Sequence, residues 1–513
     1  MTKKRFSHLV SCLTTSGLLL AGLFLLMGAS AKIARANPGD LFVTPGGSGD
    51  CSAASPCDLQ TALVAAADGD SIYMAQGTYT NSGGAVVTLT RSLSLYGGWD
   101  GSAATPPALD PQAYLTTING EAARRGVFVG SGITVTLQGL AITNGMHNFQ
   151  GAGLYAQGAD LTLRAVTVYS NVIDVFDVAD TYAYGGGAMV EGGKLVVEDS
   201  TFQANSAWAR ISSYGGGLAI TGDVSAALTN TLFIDNDAWD ASGLFFRGTP
   251  GNRLPFDMRN STFVGNGLGN SAGRASGGYV GALEVANADA WLEGNTISNN
   301  AAANDYGAVG VFSSQFFMAG STITGNRCAR TSGLYLSSAD FNIFNSVIAG
   351  NRSVYNWLAD NPAVMMRYSQ GDFTHTTIAG NDSDYGVYLS NGSAVELTNT
   401  ILLSHTVGIS VTAGSTATLE ATLWGSGDWA NDTDWGGAGS ILTGTINLWG
   451  NPAFAYPSLG NYHIGADSAA RDAGVDAGVL MDIDWQVRPI GAGFDIGADE
   501  FVPRLYLPML LRR

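Results

Sequence analysis

The 513-residue sequence predicts an all-β fold, a right-handed parallel β-helix solenoid of about ten or more coils with a short N-terminal capping helix. Three observations lead there. A β-forming triplet closed by Asn recurs at Asn171, Asn205, Asn236, Asn266, Asn300, Asn326, Asn351 and Asn381. A small residue precedes an alternating apolar strand in Gly153-Leu154, Gly187-Ala188, Gly217-Leu218, Ala282-Leu283, Gly333-Leu334 and their repeats. From small residue to following Asn the distance is 18 residues in six coils, 19 for Gly217 to Asn236 and 23 for Gly243 to Asn266. From Asn to the next small residue it ranges from 5 (Asn381 to Gly386) to 16 (Asn171 to Gly187), so length variation falls in one connection of the coil.

Each repeat carries two or three short alternating segments and no amphipathic helix, which excludes helical-pair and leucine-rich solenoids. Strands of successive coils then stack about 4.8 Å apart, and right-handed crossover is the rule for parallel connections. The Asn column reads as stacked turn residues that bond their own backbone and each other's amides. His405 occupies the same position one coil later and reads as structural.

In chain order, residues 1–36 read as a secretory signal peptide, with Lys3, Lys4 and Arg5 ahead of the apolar run Leu18–Met27. Residues 37–145 read as N-terminal cap and opening coils. There Asp58 is placed to cap a helix whose Leu59, Ala62, Leu63 and Ala66 share a face, and a Cys51–Cys57 disulfide is placed to pin it over the first turn. Residues 146–425 are the main coils, 426–502 a closing segment expected to cover the far end, and 503–513 a sorting or anchoring tail or else a last docked strand. Cys328 has no evident partner.

With 46% hydrophobic and 13% charged residues the chain can bury a large core. Its formal charge is −18, and an acidic surface repels phosphates, so nucleic acid is excluded as a partner. No apolar run after residue 36 is long enough to cross a bilayer. The expectation is a monomer, secreted or held at a cell surface.

Two stretches carry a family resemblance. The run from Cys51 to Tyr79, with Gly69-Asp70-Ser71-Ile72-Tyr73 and Gly77-Thr78-Tyr79, resembles the N-terminal cap of secreted bacterial β-helix proteins of the pectate-lyase-like superfamily. Gly460-Asn461-Tyr462-His463, Arg471-Asp472-Ala473-Gly474, Asp482-Ile483-Asp484-Trp485-Gln486-Val487-Arg488-Pro489 and Asp495-Ile496-Gly497-Ala498-Asp499-Glu500 resemble the closing segment of its choice-of-anchor Q group. Trp485 stands where that pattern has Gly, and Ser468-Ala469 replaces its Ser-Pro. The resemblance implies an exported β-helix with a C-terminal attachment device and no single activity. Arg488 with Asp495, Asp499 or Glu500 reads as an ion pair closing the last coil.

The variable connections stack on one edge, which is the candidate site. Trp208 and Trp239 both follow their Asn by three residues, a spacing that places them on neighbouring coils as an aromatic platform. Tyr184, Tyr214, Tyr279, Tyr306 and Trp357 extend it as ligand-binding candidates, with packing under long loops as the alternative. Apolar sugar faces suit aromatic rings, so a polysaccharide or cell-surface glycan is the expected partner. Asp235, Asp237 and Asp240 have the oxygen density that Ca²⁺ takes, or are solvated turn acids. Asp237, Asp240, Asp305 and Arg210 are the weak catalytic candidates for a runner-up reading as a glycoside hydrolase or polysaccharide lyase. A lyase needs a base, and after residue 36 the chain has a single Lys, Lys194.

Overall fold

The computed structural model describes residues 39–104, 107–268, 279–302, 306–353 and 361–503. The expected signal peptide, Asp305, Trp357 and all but the first residue of the expected tail lie outside them. The body is a parallel β-helix in which 37 strands form one continuous hydrogen-bonded sheet wound around a dry core. Each coil contributes a strand to three parallel stacks. The first runs from Asp40–Val43 through Leu254–Arg259 to Ser440–Thr443, and the second from Gly77–Tyr79 through Thr262–Val264 to Asn447–Leu448. The third runs from Ala85–Leu89 through Leu283–Ala286 to Thr433–Gly436.

Register is held by side-chain identity as well as backbone pairing. In the second stack Phe202 pairs with Phe233 and Phe233 with Phe263, and their rings stack inside the core at 5.1 and 4.5 Å between centroids. The corner between first and second stacks places one residue per coil in the left-handed region, among them Asp199, Asn230, Asn260, Asn345 and Asn399 with φ between 46° and 52°. Asn and Asp tolerate that region better than other residues with a Cβ, and the sharp bend follows.

At the next corner lies the Asn ladder. Asn171, Asn205, Asn236, Asn266, Asn300, Asn326, Asn351 and Asn381 are all buried. The Nδ2 of each donates to the Oδ1 of the next at 2.8–3.0 Å, and the backbone N–H of each donates to the same oxygen. His405 continues the column, its Nε2 3.3 Å from Asn381 Nδ2 and its N–H donating to Asn431 Oδ1. The column is structural, as its sequence pattern predicts.

The N-terminal end is closed by the helix Leu59–Ala65, with Asp58 accepting from the Thr61 N–H and Leu59 and Ala62 buried. The Cys51–Cys57 disulfide is formed. Cys328 is buried as a free thiol, and burial pushes it up to about 12.

The closing segment departs from expectation. From Asn461 onward it folds back along the outer face of the second stack instead of lying over the last coil. Tyr462, Ile464, Ala470, Ile496 and Ala498 pack there on Val347, Ala379, Ile401, Leu403 and Leu423. Asn399 exchanges two hydrogen bonds with Val475 at 2.7 and 2.8 Å, and the Ala498 N–H donates to Thr377 Oγ1 at 3.2 Å. The physical reason is the apolar outer face of those coils, which would otherwise face water. Arg488 and Glu500 do form a fully buried ion pair at 2.8 Å, but on this flank rather than at the end of the last coil.

Candidate functional site

The turn leading into the third stack lines up one residue from each coil. Tyr184 pairs with Tyr214, and Tyr214 bridges to Asp240. These side chains lie over the outer face of the third stack, whose outward row reads Phe128, Tyr155, Met189, Ala219, Phe245, Glu284, Gly310 and Tyr335 in strict register. The inward neighbours Leu283 and Val285 fill the core, so alternation alone turns Glu284 outward, where the overlying turn buries it to 3% exposure.

The result is a half-open cavity of about 290 Å³, lined by Asp240, Arg247, Glu284, Asn287, Tyr306 and Phe312 among others. Arg247 Nη2 donates to Glu284 Oε1 at 2.8 Å, and its guanidinium lies 4.7 Å from the Phe245 ring centre and 5.6 Å from that of Tyr214. Asp240 Oδ1 accepts from the Val280 N–H at 2.9 Å. Burial raises the Asp240 carboxyl well above the ordinary carboxylate range, and the neighbouring Glu284 charge raises it further against the pull of the Val280 N–H and Arg247. Burial also raises Glu284, opposed by Arg247. Burial lowers Arg247, but Glu284 outweighs it and the guanidinium ends up raised. Burial thus raises both carboxyls, and Arg247 offsets it at Glu284, its hydrogen-bonded partner, while Asp240 has the Val280 N–H and a more distant pull from the same cation.

Aromatic rings flank this centre on both sides. Tyr184 stacks on Tyr214 at 5.0 Å, and Tyr214 meets Phe245 at 4.6 Å. On the other side Tyr279 stacks on Tyr306 at 5.3 Å and Tyr306 meets Tyr335 at 4.5 Å. Tyr279 is 45% exposed, while Tyr184, Tyr214 and Tyr306 are half-buried. Further along, Arg125 lies 5.0 Å from the Tyr155 ring centre and the Tyr155 hydroxyl donates to Glu191 Oε2 at 2.6 Å.

Trp208 and Trp239 fall on neighbouring coils as their spacing predicts, since Ser206 bridges to Asp237. They do not make an open platform. Trp208 sits in the strand Ser206–Ala209, which pairs with Val172–Val175 as an extra two-stranded sheet, and is 3% exposed. Trp239 is half-buried with its Nε1 shielded from solvent. Arg210 is exposed and outside the cavity wall. Asp235, Asp237 and Asp240 are not brought together as a metal cluster; among the described residues the group of three donors that converges is His463, Asp484 and Asp499. Lys194 lies opposite Asp160 in the first stack, away from the third.

Glu284 and Arg247 are the members that sequence reasoning missed. Their signal was a charged residue inside an otherwise apolar strand triplet, Leu283-Glu284-Val285, but the 37-residue gap to Arg247 hides the pairing.

A family model described as a right handed beta helix region matches residues 275–423. The fold is therefore a right-handed parallel β-helix. No curated protein matches the chain. Among solved structures it is similar to the pectate lyase Pel9A, with 13% identity, 91% of this chain and 97% of that one covered, and a TM-score of 0.40. It is also similar to PfbA, a surface adhesin of Streptococcus pneumoniae, with 10% identity, 74% and 84% coverage and a TM-score of 0.22. The PL6 family alginate lyase AlyGC gives 9% identity, 80% and 78% coverage and a TM-score of 0.22. At these identities the likeness concerns the fold alone. Among the described residues, no helix of this β-helix is long and apolar enough to cross a membrane.

Proposed function

We propose that this β-helix is an exported glycan-binding protein that lays an extended polysaccharide along the outer face of its third stack. The observation that carries the reading is the pair of tyrosine stacks, Tyr184–Tyr214 and Tyr279–Tyr306, on either side of the Arg247–Glu284 centre. Rings repeating at the strand spacing of about 4.8 Å cover one another's faces and present a continuous, partly exposed apolar row to successive sugars. Arg247, Glu284 and Asn287 offer donors and acceptors to hydroxyls or carboxylates between them.

One observation favours a second reading as a glycoside hydrolase. Glycosidic cleavage uses two neighbouring carboxyls in unlike surroundings, and Asp240 and Glu284 are both buried and raised in the same cavity wall, Glu284 alone being hydrogen-bonded to Arg247.

The test is retention of the purified protein on acidic and neutral polysaccharides, with release of reducing ends followed in parallel. Retention that falls about tenfold or more in Tyr214→Ala and Tyr306→Ala is the expected result. Reducing ends that appear with the native protein and vanish in Asp240→Asn, with retention unchanged, move the reading to the hydrolase. A folded protein that no polysaccharide retains overturns both.

A further inference from the structure

A second cluster, remote in sequence from the aromatic face, lies in the flank segment. His463 Nε2 is 2.8 Å from Asp484 Oδ2, and one donor atom each from His463, Asp484 and Asp499 lie within 4.8 Å of one another. The three come from separate parts of the segment: the strand Asn461–Ile464, the turn after Asp482, and the last turn before Phe501. We propose that His463, Asp484 and Asp499 form a site for a divalent transition-metal ion, Zn²⁺ in the first instance, that clips the flank segment together.

Four features of the arrangement support a metal over a simple ion pair. First, the His463 ring is oriented from behind, with Nδ1 2.6 Å from Asn461 Oδ1. An amide oxygen can only accept there, so Nδ1 carries a hydrogen and Nε2 is the ring atom turned to the carboxylates, where a bound cation would take the place of the proton that joins Nε2 to Asp484. A carbonyl-type acceptor on the far ring nitrogen is the usual support of a metal-bound imidazole.

Second, the carboxylates are held before any ion arrives. Asp482 Oδ1 accepts from the Asp484 and Gln486 N–H groups at 2.9 and 2.8 Å, and its Oδ2 accepts from the Glu500 N–H at 3.1 Å. Both ligand-bearing turns are thus tied to one side chain that is itself buried. Asp499 is anchored separately, its Oδ2 accepting from the Ile464 N–H at 2.7 Å.

Third, Asn461, Gln486 and Glu500 line the same cavity, so the wall around the three donors is polar. Fourth, two carboxylates and a neutral imidazole balance a dication, and a nitrogen donor selects Zn²⁺ and its neighbours over Ca²⁺, which takes oxygen. His463 and Asp484 are 40% and 46% exposed and front a cavity of about 510 Å³, so an ion can enter and keep an open position.

The experiment is equilibrium dialysis of the chain from residue 37 to 513 against Zn²⁺ alone, with bound metal measured by mass spectrometry and unfolding temperature recorded with and without the ion. The expected result is about one Zn²⁺ per chain and a higher unfolding temperature with the ion. Retention should drop about tenfold or more in both His463→Ala and Asp484→Asn, and stay unchanged in His147→Ala. Both substituted ligand side chains are half-exposed, so the unfolding temperature without metal reports whether each variant has kept its fold. Absence of bound Zn²⁺ in the native chain overturns the proposal, and so does equal binding by a folded His463→Ala variant.

Discussion

His405 is the one break in an amide ladder eight residues long, and its chemistry differs from theirs in a measurable way. Its Nδ1 is buried without a partner, and burial pulls the ring down to about 4 from 6.5, partly offset by Asn431. A histidine lowered in this way contributes stability that is complete above the unfolded value near pH 6.5 and lost as pH falls toward 4, because the unfolded chain takes up the proton first. The shift corresponds to about 3 kcal/mol over that window. An Asn at this position can accept from Asn381 and donate onward as the ladder's other members do. We therefore expect His405→Asn to be at least as stable as the native protein at pH 7 and to lose about 3 kcal/mol less between pH 7 and pH 4, as followed by denaturant unfolding. Parallel pH profiles for the two proteins would show that the ring does not titrate with folding. His405 and the Asn column were legible because they sit at a fixed chain interval. Arg247 and Glu284 were not, since their partnership depends on strand alternation and on a turn that buries one of them.

The flank segment shows how an element can be read for its contacts and misread for its place. An ion pair of Arg488 with Asp495, Asp499 or Glu500 was visible in the sequence because all four lie in one short motif-rich stretch, and Glu500 is the partner the fold selects. Its docking on Thr377 and Asn399 was not, because the Thr377–Ala498 contact spans 121 residues and answers to an apolar outer face that only the wound sheet creates. Arg488 donates to Glu500 and to the carbonyls of Gly497 and Ala498, while Glu500 also accepts from the Ile490 and Asp495 N–H groups. Removing the arginine leaves a carboxylate buried without its cation, which costs about 3–5 kcal/mol. The loss should stay local, since the coils beneath keep their own hydrogen bonds. In Arg488→Ala we expect protease cleavage between Ala466 and Gly493 to accelerate while the coils from Leu154 to Leu403 remain resistant, as mapped by mass spectrometry of the fragments. Cleavage spreading through those coils at the same rate would mean that the flank is part of the solenoid's own cooperative unit.

Across the molecule, the repeat made the architecture legible because an interval of 18 residues in six of eight coils leaves little choice of coil, whereas the fate of the two ends depends on single segments that do not repeat. The ends are unequal. At the N-terminal end the helix Leu59–Ala65 covers the first turn and the Gln60 side chain donates to the Val86 carbonyl. At the other, the strands Thr433–Gly436, Ser440–Thr443 and Asn447–Leu448 pair with the preceding coil, and among the described residues no further coil follows. The exposed Leu442, Trp435 and Trp449 lie on this coil. In a solenoid each coil is stabilised mainly by its two neighbours, so a coil with one neighbour opens at lower free energy than those in the middle. Amide hydrogen exchange should therefore be slowest around Phe256, Phe263 and Phe316, where the core is aromatic and paired on both sides, and about tenfold or more faster at Ser440–Thr443. The first coils should stay close to the middle in protection because their end is covered. Equal protection at Ser440–Thr443 and in the central coils would mean that something closes the far end as effectively as the helix closes the first, and would place the weak point of the solenoid elsewhere.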